Sequence, residues 1–264
     1  MALTADTLAA IALDAGKLIM EVYETDFDVT RKEDSSPVTE ADEKAEALIL
    51  ERLKAADPAL PVIAEEAVAA GHIPAHGNRF ALVDPLDGTK EFINKRGEFT
   101  VNIAIIFEGR PAMGVVYAPA LNRLFVAESP LSAWQAEVAP GGAVPEEDQR
   151  KPLTIRGAPP AGITAIASKS HRSPETDAFL EKFTVADIIS AGSSLKFCLV
   201  AAGEADLYPR MGRTMEWDTA AGHAVVEAAG GRVLEAGGAP LLYGKTERGY
   251  DNPHFIVYGD VTPA

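Results

Sequence analysis

The segment Val83-Asp84-Pro85-Leu86-Asp87-Gly88-Thr89-Lys90-Glu91 concentrates the chemistry of this 264-residue chain. Pro85 cannot donate to a β-ladder and Gly88 permits a tight turn, so the backbone bends between two carboxylates three residues apart. Asp84 and Asp87 can then face one point, with the Leu86 carbonyl freed as a further oxygen donor. Hard donors of this kind suit Mg²⁺, which keeps several waters and binds through few carboxylates plus substrate phosphate. An isolated Asp-x-x-Asp-Gly is more simply a turn, but two further acidic positions favour a metal. Glu65-Glu66 closes the apolar run Pro61-Val62-Ile63-Ala64, and neighbouring parallel strands bring their C-terminal ends to one edge. Far downstream, Asp218 in Glu216-Trp217-Asp218-Thr219-Ala220-Ala221-Gly222 stands at the start of a small-residue helix. There it reads as an N-cap that can serve as a metal ligand as well.

The elements that must carry these residues follow from hydrophobic spacing. Residues 3–23 repeat apolar side chains at helical intervals (Leu8, Ile11, Ala12, Ala15, Leu18, Ile19, Val22), which predicts an amphipathic helix. Gly16 within it points to close packing against a neighbour. Ser35-Ser36-Pro37 reads as a turn, and Thr39 stands where an N-cap should, ahead of a helix to about Ala56. Residues 61–64 and 80–83 read as buried strands that end in acid. From Thr100 to Ala127 the pattern predicts an antiparallel meander with turns at 108–111 and 119–122. Residues 137–152 combine Pro, Gly and charge and read as a linker. After them come strand 164–167, helix 174–183, strand 188–189, helix 194–202, strand 206–208, helix 219–229 and strand 255–258. The expected class is α/β: an N-terminal α+β metal-binding domain (1–136) and a C-terminal α/β substrate-binding domain (153–264), packed as one compact unit.

Composition narrows the function. Lys and Arg number 24 against 39 Asp and Glu, a net charge of −15. That argues against nucleic-acid partners, whose phosphates need cations. Hydrophobic residues at 47% exclude a disordered chain, and a single Cys excludes a disulfide framework or a multi-thiolate site. Met1-Ala-Leu-Thr lacks a basic n-region, and no stretch reaches the ~18–20 apolar residues of a membrane span, so a cytoplasmic protein without an integral membrane segment is expected. Monomer and homodimer both stay open. Cys198 reads as a small buried hydrophobe. His223 reads as structural, and His72 and His76 sit in a loop without metal-ligand partners.

Taken together, Glu65-Glu66, Asp84-Pro85-Leu86-Asp87-Gly88-Thr89 and Trp217-Asp218-Thr219-Ala220-Ala221-Gly222 resemble the three signatures of the inositol-monophosphatase superfamily. Its members are Mg²⁺-dependent, lithium-sensitive phosphatases with a layered αβαβα sandwich. Gly88-Thr89-Lys90-Glu91-Phe92, Gly97-Glu98-Phe99-Thr100-Val101-Asn102, Gly192-Ser193-Ser194-Leu195-Lys196-Phe197-Cys198 and Leu207-Tyr208-Pro209-Arg210 are similar to the CysQ-type branch. That branch comprises 3′(2′),5′-bisphosphate nucleotidases, which convert adenosine 3′,5′-bisphosphate to AMP and phosphate. The resemblance runs from about Leu8 to Tyr258.

By this resemblance, Glu65, Asp84 and the Leu86 carbonyl would hold one Mg²⁺, and Asp84, Asp87 and Asp218 a second. A third, looser ion would lie near Asp42 and Glu66. Thr89, bonded to Asp42 of the Pro37-Val38-Thr39-Glu40-Ala41-Asp42 string, would orient the attacking water, with Glu66 in the same catalytic set. Thr89 as a turn hydroxyl and Asp42 as a first-turn carboxylate are the plainer readings. Backbone N–H groups of Asp87, Gly88 and Thr89 would face the scissile phosphate, bordered by Glu65, Leu86 and Asp218. Gly192, Ser193, Ser194 and Lys196 would hold the second phosphate or the ribose, and Tyr208 and Arg210 the base and that phosphate. Lys196 as a solvated helix residue and Tyr208 as strand core weigh equally. Branch members are also described as peripheral at the inner membrane. An inositol monophosphatase or NADP(H) phosphatase is the alternative within the superfamily. A non-catalytic nucleotide- or metal-sensing protein would lack part of the catalytic set, yet Glu65, Asp84, Asp87, Thr89 and Asp218 are all present.

Overall fold

The computed structural model describes residues 3–25, 29–31, 37–167 and 173–262, with the backbone alone for 29–31, 37 and 38. Thr4 opens the first helix, α1 (Ala5–Tyr23), its hydroxyl accepting the Thr7 N–H at 3.2 Å. A two-stranded ribbon, β1 (Val29–Arg31) and β2 (Pro37–Thr39), leads into α2 (Glu40–Ala56). The expected turn at Ser35-Ser36 lies outside the described residues. Thr39 caps α2 reciprocally: Ala41 donates to its hydroxyl, and its own N–H donates to Asp42 Oδ2 at 2.8 Å.

Next come β3 (Val62–Ala64), the short helix α3 (Glu65–Ala69), β4 (Arg79–Asp87) and the short helix α4 (Thr89–Ile93). The expected meander follows as β5 (Thr100–Phe107), β6 (Arg110–Ala118) and β7 (Arg123–Ser129). It continues through β8 (Ser132–Glu137) and β9 (Lys151–Pro152). These strands form one sheet in the order β3-β4-β5-β6-β7-β8-β9, with β3 parallel to β4 and every other pair antiparallel. The segment expected to be a linker is thus tied down, because its last residues pair with β8. Arg150 anchors it further, stacking over Trp134 and bonding Glu128 and Asp6 at 2.9 and 3.0 Å.

The second sheet is built from β10 (Ile163–Ile166), β11 (Val185–Ile189), β12 (Leu207–Arg210), β13 (Arg232–Glu235) and β14 (Phe255–Tyr258), in the order β11-β10-β12-β14-β13. Helix α5 (Pro174–Leu180) precedes β11, α6 (Leu195–Ala201) precedes β12, and α7 (Glu216–Ala228) precedes β13. Strands β8, β9 and β13 carry no strong alternation, and periodicity alone did not mark them.

The layers are αβαβα. Helices α1 and α2 cover one face of the large sheet, burying Leu8, Ile11, Ile19, Ile49 and Leu53 against Val83, Val101, Ile103 and Val115. Gly16 is where α1 comes closest, since a Cβ there would stand 2.4 Å from the Tyr117 ring. Helices α6 and α7 fill the middle, between Phe80, Leu82, Ala104 and Ile106 of the large sheet and Tyr208, Phe255 and Val257 of the small one. Helix α5 covers the outer face of the small sheet through Leu180 and its neighbour Phe179. Strand β5 is buried along all but its last residue, so its side chains alternate between two cores. Val101, Ile103 and Ile105 meet α1 and α2, while Ala104 and Ile106 meet α6 and α7. No helix among the described residues is long and apolar enough to cross a membrane.

Candidate active site

The site lies where the first turn of α7 meets the adjoining ends of β3 and β4. Strand β4 does not stop at Asp84, as its apolar run suggested, but continues to Asp87 through a bulge. Asp84 pairs with Asn102 and Asp87 with Thr100, so three steps on β4 match two on β5, and one residue is extra. Side chains alternate along a strand, and a three-residue separation would put two aspartates on opposite faces. The extra residue cancels that alternation, and Pro85, which has no N–H, costs the ladder nothing there.

Burial first, then the charges of Glu65, Asp87, Asp218 and Asp42, push the Asp84 carboxyl well above the ordinary aspartate range. Its Oδ1 accepts the Leu86 N–H at 3.0 Å. Asp218 is raised well above it too, by burial and then by Asp87, against an N–H bond from Met215. Asp87 is half-buried and is pushed up to about 6 by burial, opposed chiefly by Lys196 and by the Ser194 N–H at 2.6 Å. Asp218 is not the N-cap expected. Helix α7 starts two residues earlier, at Glu216, so Asp218 is its third residue and reaches back to the Met215 N–H at 2.8 Å.

Carboxylate oxygens of Glu65, Asp84 and Asp218 lie within 4.8 Å of one another. Buried like charges at such distances are unfavourable unless protons or a cation are taken up. Three hard oxygen donors converging on one point fit a divalent cation of the Mg²⁺ kind.

The supporting residues were less visible in sequence. Glu46, buried on α2, accepts the N–H groups of Glu66 and Ala67 at 2.8 and 2.7 Å and so fixes the first turn of α3. A signal existed: Asp42, Glu46, Ile49 and Leu53 form one helical stripe, and all are buried. Thr39 donates twice to Asp42 Oδ2, at 2.7 and 2.8 Å, which leaves Oδ1 facing the Thr89 hydroxyl at 3.3 Å. That hydroxyl lies equally close to the Leu86 carbonyl. Gly88, at φ 94°, turns the chain from β4 into α4 in a conformation that a side chain disfavours. Glu216, fully buried, accepts the Gly244 and Lys245 N–H groups at 2.7 and 2.9 Å and pairs with Lys245 Nζ at 2.7 Å, fastening a loop to the α7 start.

Asp87, Gly88, Ser193, Lys196, Arg210 and Asp218 line a cavity of about 250 Å³. A neighbouring cavity of about 290 Å³ shares Lys196, Tyr208 and Arg210 with it. Tyr208 is core and wall at once: its ring packs edge-on against Phe197 and Phe255 while bordering both cavities. Burial pushes its phenol up to about 12. Lys196 bonds the Ser193 carbonyl at 3.1 Å and lies 5.8 Å from the Tyr208 ring, and burial lowers its ammonium pKa against the pull of Asp87. Arg210 donates to the Arg213 carbonyl at 3.2 Å, whereas its buried Nε has no hydrogen-bond partner among the described residues. Gly192 is buried beside this wall, but Ser194 does not belong to it. It is 1% exposed, and its hydroxyl lies between Asn102 and the Asp218 carbonyl. Cys198 is core, and His223 pairs with Tyr243 and Glu227 inside α7's packing.

Two packed sheets with a carboxylate centre at a strand bulge and a cationic wall beside it define a class of layered α/β proteins suited to a divalent cation and a phosphorylated ligand. The family model described as "Inositol monophosphatase family" matches residues 3–255. The chain belongs to that family. A 3′(2′),5′-bisphosphate nucleotidase CysQ of Escherichia coli (strain K12) is 44% identical over 254 residues, covering 96% of this chain and 98% of the relative. The CysQ of Buchnera aphidicola is 40% identical over 245 residues, covering 92% and 88%. Among solved structures, CysQ from Bacteroides thetaiotaomicron superposes with a TM-score of 0.79 at 39% identity, covering 98% and 99% of the two chains. The Thermotoga maritima IMPase TM1415 gives 0.72 at 25% identity, covering 97% and 91%.

Proposed function

We propose that this chain is a cytoplasmic Mg²⁺-dependent phosphomonoesterase that removes the 3′-phosphate of adenosine 3′,5′-bisphosphate. The observation that carries this reading is one cavity lined by both signs of charge, Asp87 and Asp218 together with Lys196 and Arg210. The carboxylates suit a phosphate that arrives with divalent cation, and the two cations suit a second phosphate with none. The relatives at 40% identity and above are bisphosphate nucleotidases by name, which supports the same substrate class.

Glu65, Asp84 and the Leu86 carbonyl would hold one Mg²⁺, and Asp84, Asp87 and Asp218 a second, and a third, looser ion would lie near Asp42 and Glu66. When bound, Mg²⁺ supplies charge neutralisation for the phosphoryl group and makes water more acidic. The chain's own contribution is positioning, which is most of what phosphoryl transfer requires. Thr89 Oγ1 would orient the attacking water, whose proton passes through the Thr89 hydroxyl to Asp42 Oδ1, which the two Thr39 bonds aim at it. As the water oxygen bonds to phosphorus the bond to the 3′-oxygen breaks, and that oxygen takes up a proton and leaves as the hydroxyl of AMP. Gly88 and Ser193 shape the floor beneath the scissile group, and Lys196 and Arg210 hold the far phosphate. Arg210 Nε, buried without a partner among the described residues, is the donor such a phosphate would satisfy. Tyr208 presents its ring toward the nucleoside.

The test compares phosphate release from adenosine 3′,5′-bisphosphate, inositol 1-phosphate, fructose 1,6-bisphosphate and NADP, with and without Mg²⁺. The nucleotide is expected to lead by at least tenfold in kcat/KM, and only with Mg²⁺. Equal or faster release from inositol 1-phosphate makes the chain an inositol monophosphatase and overturns the substrate assignment.

A further inference from the structure

Thr100 and Asn102 are two residues apart on β5 and so share a face, the one Ala104 and Ile106 turn toward α6 and α7. Both are fully buried polar side chains, and buried polar groups are ordinarily paired. Each reaches across to the turn before α6. Thr100 Oγ1 donates to Ser193 Oγ at 3.2 Å, and Asn102 Nδ2 to Ser194 Oγ at 3.1 Å. Ser193 adopts a left-handed φ of 43°, which brings consecutive serines onto consecutive rungs. Ser194 is the junction. Its N–H donates to Asp87 Oδ2 at 2.6 Å, its hydroxyl donates to the backbone carbonyl of Asp218, and the same oxygen accepts from Asn102. One residue therefore touches an aspartate of the β4 bulge, an asparagine of β5 and an aspartate at the start of α7, so two strands of the large sheet and a helix of the middle layer meet on it.

We propose that Ser194 is a positioning residue: it sets the separation of Asp87 and Asp218, and with it the affinity of the acidic centre for divalent cation. This deepens, and rests on, the reading of those two aspartates as ligands. Its hydroxyl is used up within the protein, so Ser194 makes no contact with substrate, unlike its neighbour Ser193 on the cavity wall. Partners standing behind ligands are worth about 10–100-fold in metal affinity when removed.

The test is calorimetric titration of chelator-stripped protein with Mg²⁺, run on wild type, Ser194→Ala, Asn102→Ala and the double variant. It is joined by unfolding midpoints in EDTA and by KM at saturating Mg²⁺. Ser194→Ala is expected to raise the Mg²⁺ dissociation constant about tenfold or more while KM for nucleotide stays within about twofold. The Asn102→Ala loss should be smaller and add only in part, because Asn102 shares one hydrogen bond with Ser194 while its Nδ2 also lies 3.5 Å from Asp87 Oδ2. If Ser194→Ala does not fold, Ser194→Cys, of nearly the same size and a weaker donor, is titrated instead with the same expectation in direction. Unchanged Mg²⁺ affinity overturns the proposal in two readable ways: with a raised KM, Ser194 is a substrate contact; with only a lowered midpoint in EDTA, it is structural. The titration contains no substrate, so a wrong assignment of the nucleotide leaves its result intact, and failure of wild type to bind Mg²⁺ would instead remove the metal reading itself.

Discussion

Replacing Asp84 by Asn should move stability and activity in opposite directions. Asp84 is 1% exposed, and its carboxylate lies within 4.8 Å of oxygens from Glu65 and Asp218. At an effective dielectric of ~20, each like-charge pair at that distance costs about 3 kcal/mol. The cluster relieves part of this by taking up protons, as the raised carboxyls of Asp84 and Asp218 indicate. The repulsion still expressed at pH 8 is therefore smaller than that full pair cost. An asparagine amide keeps an oxygen able to accept the Leu86 N–H, so the substitution removes charge while the local hydrogen bond survives. In EDTA at pH 8 the variant should melt higher than wild type, by about 2–4 °C per kcal/mol at this chain length. Mg²⁺ should reverse the order, because a cation at a hundred times its dissociation constant stabilises wild type by about 2.7 kcal/mol and finds a weakened site in the variant. Phosphate release should fall at least a thousandfold. Differential scanning fluorimetry across Mg²⁺ concentrations reads the crossover. A variant that melts lower than wild type in EDTA, or that retains turnover at saturating Mg²⁺, would refute the argument that these carboxylates are mutually repulsive and held for a cation.

The raised carboxyl of Asp87 gives a pH dependence. Because its folded pKa of about 6 lies above the ordinary 3.8, its contribution is full below the unfolded value and is lost as pH rises through about 6. In EDTA, wild type should lose on the order of 2 kcal/mol relative to Asp87→Asn between pH 4.5 and 7.5, read from urea midpoints, and a flat difference contradicts this. Glu46→Ala removes the carboxylate that holds two N–H groups of α3, so it should cost about 2–4 kcal/mol and weaken Mg²⁺ binding, while Glu46→Gln keeps an acceptor and loses less. Equal losses for Ala and Gln would show that the carboxylate's charge, rather than a surviving acceptor, is what matters. Li⁺ at millimolar concentration should slow phosphate release by replacing one Mg²⁺ of the pair, and an activity profile flat in Li⁺ counts against two loosely held ions.

What was legible in the sequence divides along a physical line. Helices α1 and α2 were readable because each buries one apolar stripe at a 3.6-residue period and α2 begins with a Thr39 cap. The meander was readable because its turns carry Gly, Pro and Asn between β-rich runs. Strand β13 and the pairing of Lys151–Pro152 were not, since they owe their place to neighbours in the sheet rather than to their own pattern. Asp84, Asp87, Glu65 and Asp218 stood out as acids in apolar or turn-forming surroundings. Thr100 and Asn102 did not stand out as supports, because a polar residue on a strand is ordinarily read as facing water. Ser194 reads as a substrate contact in the sequence, because its hydroxyl's partners come from β5 and α7, far away in the chain.

The bulge in β4 shows why side-chain chemistry was easier to find than side-chain geometry. Asp-x-x-Asp predicts two carboxylates on opposite sides of a regular strand, and only the extra residue against β5 turns both toward α7. Pro85 marks where the ladder can lose a donor, but the register is decided by what Asp84 and Asp87 face across the strand. Those partners are Asn102 and Thr100, the same two residues that reach Ser194 and Ser193. One short stretch of β5 therefore sets both the register of the acidic turn and the anchorage of the turn opposite it. The carboxylates of two distant segments meet because each is measured from the same strand.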